Sequence, residues 1–97
     1  MTHISYDPQG VPARFEINKD NQAVVEFSDP SFTRAETVMF DPLTRELYAL
    51  LHEGVFTIGE VPKDFETALH QEKQVLLCAD HYAGHKVQMK AALRLIN

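Results

Sequence analysis

Apolar and polar residues alternate singly through several stretches of this chain and recur at helical spacing in others. Phe15 and Ile17 alternate with Arg14 and Glu16, and Ala23, Val25 and Phe27 share a second such phase. Between them, Asn18-Lys19-Asp20-Asn21 is rich in residues that tolerate tight turns, so the pattern predicts a β-hairpin. Asp29-Pro30 marks a boundary, Ser31 to Arg34 reads as a short helical turn, and Thr37-Val38-Met39-Phe40 reads as a strand.

From Asp41 to Gly54 the period changes. Leu43, Leu47, Leu50 and Leu51 stand at i, i+4, i+7 and i+8, an apolar stripe at period 3.6. Asp41 suits the N-cap, Pro42 the first helical position and Gly54 a left-handed C-terminal position. This pattern predicts an amphipathic helix, with Leu47 at the centre of its buried face and His52 and Glu53 in its last turn.

Beyond Gly54, the β-branched and aromatic run Val55 to Val61 predicts a strand with a bulge at Gly59, ended by Pro62. A second helix is expected from near Asp64, with Phe65, Ala68 and Leu69 inward and His70 outward. Residues 74–80 fit either a continued helix or a buried strand. The final segment favours the strand: Val87, Met89, Ala91, Leu93 and Leu95 alternate with Gln88, Lys90, Ala92 and Arg94, and such a dry face needs a partner. Residues 1–12, with Asp7-Pro8 and Gly10-Val11-Pro12, form a turn-rich lead.

These elements predict an α+β fold: one domain over residues 1–97, with an antiparallel sheet of about five or six strands packed against two short helices. Ninety-seven residues suffice for a single core. One cysteine, Cys78, leaves no internal disulfide, and no run reaches the roughly 18 apolar residues of a membrane span. The N-terminus lacks the basic flank and apolar run of a signal peptide, so the cytoplasm is the expected compartment.

A net charge of −5 leaves too little basic surface for a broad phosphate-gripping face, so nucleic acid is an unlikely partner. The four glycines are dispersed and build no phosphate-cradling loop. No Gly-x-Ser-x-Gly elbow is present, and the apolar neighbours of Cys78 argue against a reactive thiolate. These absences point away from an enzyme.

Metal-capable side chains concentrate in one place, where Cys78, Asp80, His81 and His85 offer a thiolate, a carboxylate and two imidazoles suited to zinc. Their spacing matches no established zinc signature. The reading the residues favour is a small acidic, non-enzymatic protein that binds another protein or itself in an accessory or regulatory role. A zinc-binding protein using Cys78 to His85 is the alternative. Candidate contact residues are Tyr48, beside the leucine stripe, and Lys90, Ala92 and Arg94 on the outer side of the last strand. If that strand lies at an edge, its unpaired backbone groups would support a homodimer.

Overall fold

The computed structural model describes residues 3–4, 12–80 and 84–96. Its strands are β1 (His3–Ile4), β2 (Ala13–Ile17), β3 (Ala23–Phe27), β4 (Thr37–Asp41), β5 (Glu46–Leu51), β6 (Gly54–Glu60), β7 (Gln74–Asp80) and β8 (Lys86–Leu95). One α-helix, α1 (Lys63–Glu72), and a 3₁₀ turn, Pro30–Arg34, complete the described elements. The strands form a single mixed sheet in the order β1-β2-β3-β7-β8-β4-β5-β6, curled into a half-barrel. This corrects the expected antiparallel sheet with two helices: β3 pairs parallel with β7, and β4 parallel with β8.

The hairpin expected over β2 and β3 is present. Asn18 builds its turn, its Oδ1 accepting from the backbone of Asp20 at 3.0 Å and Gln22 at 2.9 Å. Asn21 takes the left-handed conformation at φ 61°.

The helix expected from Asp41 to Gly54 is absent; the segment is the end of β4, a turn, and the β5–β6 hairpin. Two periods compete in it, and the twofold one prevails. Leu47 and Ala49 are fully buried, whereas Glu46, Tyr48 and Leu50 between them face the other side. The capping signal is local turn chemistry instead. Asp41 Oδ1 accepts from Leu43 N–H at 2.9 Å, and Arg45 N–H bonds Asp41 O at 2.7 Å. Arg45 at φ 63° then reverses the chain, leaving Leu43 93% exposed at the tip. His52 and Glu53 form the next turn.

The second expected helix is α1, with Phe65, Ala68 and Leu69 buried as anticipated. Asp64 and Glu66 lie in its first turn, where carboxylates suit the dipole. It ends at Lys73, left-handed at φ 56°, whose N–H bonds Leu69 O at 2.9 Å. Residues 74–80 are the strand alternative, antiparallel to β8.

The core fills the concave side of the sheet. Phe15, Val25, Val38, Phe40, Leu47, Val75 and Leu77 project into it from β2, β3, β4, β5 and β7, and α1 covers one part, Phe65 meeting Phe15 edge-on at 5.0 Å. The 3₁₀ turn covers another. Its Phe32 stands between Phe27 of β3 and Phe56 of β6, at 5.6 and 5.5 Å, bridging strands far apart in the sheet. The guanidinium of Arg45 ties the β4–β5 turn to α1 through Glu66 at 3.0 Å and Val61 O at 2.8 Å.

The last strand keeps its expected alternation, but its inner face is only partly dry. Ala91 is buried, while Met89 and Leu95 are 52% and 45% exposed. Nor is it an edge over its second half, where Ala92 to Leu95 pair with β4. Ala92 N–H is already bonded to Glu36 O at 2.9 Å, so Ala92 cannot serve as a dimer-pairing residue.

Candidate functional site

Residues opposite each other in neighbouring strands share a face of the sheet. Arg94 lies beside Met39, Met39 beside Tyr48, and Tyr48 beside Thr57. One step along, Ala92, Thr37, Leu50 and Val55 form a second row. Both rows lie on the convex face, because the intervening Val38, Phe40, Leu47 and Ala49 are buried in the core. Tyr48, Ala92 and Arg94, expected as contact residues, are thereby brought onto one surface, with Lys90 next in phase on β8. Met39, Leu50 and Val55 join them, and the sequence reading missed these three as surface residues. The leucine spacing obscured the alternation that places Leu50, while Met39 and Val55 lie in expected strands whose outward face needs the β4–β5–β6 pairing to assign.

The surface is mixed in character. Val55 is 54% exposed, and Met39, Tyr48 and Leu50 are half-buried. Burial, followed by the nearby Glu46 carboxylate, pushes the Tyr48 phenol above its usual pKa, so the ring stays neutral. Among the described residues Lys90 and Arg94 make no ion pair. At one end of this face lies a shallow groove of about 370 Å³, lined by Arg34, Glu36, Thr37, Leu50, Leu51, His52 and Glu53. Arg34 bridges to Glu53 at 2.9 Å across it.

The convex face continues over β7, β3 and β2 in a different form. Val24, Leu76 and Cys78 make a small buried cluster, with Lys90 opposite Leu76 and Gln88 opposite Cys78. The stems of such long side chains cover apolar surface while their ends reach water. Glu26 sits between two cations, Arg14 at 2.6 Å and Lys86 at 2.9 Å. The Lys86 hydrogen bond, more than any other influence, draws the Glu26 carboxyl below its ordinary range.

Of the residues considered for zinc, Cys78 is buried and Asp80 and His85 are exposed, while His81 lies outside the described residues. Cys78 and Asp80 fall on the same face, two residues apart on β7. Burial raises the Cys78 thiol pKa, with the Glu26 charge adding to the effect. Among the described residues no three metal-capable side chains converge.

Two further histidines, His52 and His70, lie away from Cys78. His70 meets the Phe40 ring edge-on at 5.6 Å and stands 3.7 Å from Glu66. His52 occupies the β5–β6 turn at the rim of the groove. A second concavity, of about 320 Å³, is lined in part by Arg14, Glu26 and Asp80, but Arg14 and Glu26 are already engaged with each other. Ser31 Oγ donates to Asp29 Oδ1 at 2.8 Å, a contact within the cap of the 3₁₀ turn. The chain matches no protein-family model, no curated protein and no solved structure.

Proposed function

We propose that this chain is a small, non-enzymatic accessory protein that binds another protein through the convex face of β8, β4, β5 and β6. The observation that supports it most is the side-by-side placement of Met39, Tyr48, Leu50 and Val55, flanked by Lys90 and Arg94, which make no ion pair among the described residues. Aromatic, methionine and arginine side chains are the types that interfaces favour, and a patch rimmed by charge limits indiscriminate association. No described helix is long and apolar enough to cross a membrane. The same reading sets the protein in the cytoplasm, where a lone cysteine stays reduced.

Affinity capture with paired variants tests the assignment. Val55→Glu with Arg94→Glu alters two exposed positions of the face and should abolish retention of a partner that the unmodified chain holds saturably. Leu43→Glu, at the exposed β4–β5 tip, should leave retention intact. Equal retention by all three proteins would place the contact elsewhere.

A further inference from the structure

β8 is paired on both sides over only part of its length. Its antiparallel ladder with β7 runs from Lys86 to Ala92, while its parallel ladder with β4 starts only at Ala92. The hydrogen bonds at the junction show which way each backbone group points. Leu93 N–H bonds Lys73 O at 3.1 Å on the β7 side, and Ala92 N–H bonds Glu36 O at 2.9 Å on the opposite side. These directions alternate along a strand. Gln88 and Lys90 therefore turn their N–H and C=O groups toward the lane that β4 occupies farther on. Among the described residues no strand fills that lane, and both residues are exposed.

We propose that the half-edge from Lys86 to Ala91 takes up an extended acidic segment of a partner protein as an added strand. The proposal rests on the protein-binding reading above and names the mode and the chemistry of the partner. The lane is about 20 Å long at the usual strand rise, room for a short peptide. It ends at Glu36 and Thr37, which line the groove at the end of the convex face. Backbone bonds to Gln88 and Lys90 would supply the pairing, and alternate side chains the selectivity.

On the convex side the incoming strand meets Gln88 and Lys90, with Lys86 at the start of the row already held by Glu26 at 2.9 Å; Lys90 has no ion-pair partner among the described residues. A carboxylate of the segment set beside Lys90 complements this row. On the concave side Val87 and the half-exposed Met89 accept apolar residues. A second copy of β8 fits poorly: antiparallel pairing centred on Gln88 would set Lys86 against Lys90 twice, and like charges directly opposite are destabilising.

Amide hydrogen exchange tests the idea, with a synthetic peptide of alternating Glu and Val as probe. In the free protein the Gln88 and Lys90 amides should exchange fast beside protected Met89 and Ala91. The peptide should slow exchange at Gln88 and Lys90, and Lys90→Glu should weaken its binding at least about tenfold. Gln88→Pro removes an N–H that the fold does not use, so it should abolish binding with little change in melting temperature. Absence of binding up to millimolar peptide, or binding indifferent to both substitutions, overturns the proposal. So does a dimer in sedimentation whose Gln88 and Lys90 amides are already protected, which would assign the edge to a second copy. Should strand addition fail while partner capture still depends on Val55 and Arg94, only the strand mode falls; failure of both removes the protein-binding reading as well.

Discussion

Glu26 shows how much a single side chain can matter on an otherwise solvated sheet face. Its side chain is 12% exposed between Arg14 and Lys86, which are each about half exposed. A folded-state pKa below the unfolded one stabilises the protein at neutral pH, and that contribution is lost as pH falls through the lowered value. Glu26→Gln should therefore cost about 1 kcal/mol near pH 7, a figure kept small because water screens the cations. As pH falls from the ordinary glutamate value of about 4.3 to below the lowered one, the variant and the unmodified chain should converge. Urea melts at several pH values will show this, and a pH-independent difference would contradict it. A second residue-scale contrast separates the two periods in 41–54. Leu47 is fully buried and Leu43 is 93% exposed. Leu47→Asp should unfold the domain, while Leu43→Asp should shift stability by less than about 0.5 kcal/mol. Comparable losses from both would restore the leucine stripe.

Among the elements, those whose period and boundary signals agreed were legible from the residues. The β2–β3 hairpin has clear alternation around Asn18 to Asn21, and α1 carries Phe65, Ala68 and Leu69 on one side after Pro62. The segment 41–54 was misread because leucines at 47 and 51 satisfy both a helical and an alternating pattern. Asp-Pro opens a turn as readily as it caps a helix. Long leucine-rich side chains also favour helix intrinsically, a preference that cross-strand packing of Leu47 and Ala49 overrides. Leu50 of the candidate face was hidden by the same error, and Met39 and Val55 lie in segments expected as strands whose outward face only the pairing of β4, β5 and β6 assigns, whereas Tyr48, Lys90, Ala92 and Arg94 were singled out. The end of α1 offers an element-scale test. Lys73 adopts a left-handed conformation at φ 56° that glycine enters without the Cβ penalty. Lys73→Gly should stabilise the protein by up to about 1 kcal/mol, and Lys73→Val should destabilise it. Thermal melts of the two variants moving in the same direction would refute the capping account.

The whole molecule depends on pairings that no local pattern encodes. β3 and β4 are separated by only a short 3₁₀ connection, yet the β7–β8 hairpin enters the sheet between them from the far end of the chain. Both parallel ladders belong to this insertion. Without it, the antiparallel β1-β2-β3 and β4-β5-β6 units have no strand pairing with each other. They would keep only side-chain links such as Phe27–Phe32–Phe56 and Arg45–Glu66. The hairpin also brings Val75, Leu77, Ala79 and Ala91 into the core. Two three-stranded units with opened inner faces expose more apolar surface than so small a chain can offset. The full chain should therefore unfold in one transition, with far-ultraviolet circular dichroism and tyrosine fluorescence changing together. A chain ending at Lys73 should show no cooperative melt at all. If that truncated chain melted cooperatively, or if the two probes separated in the full chain, the inserted hairpin would not be the element that joins the halves.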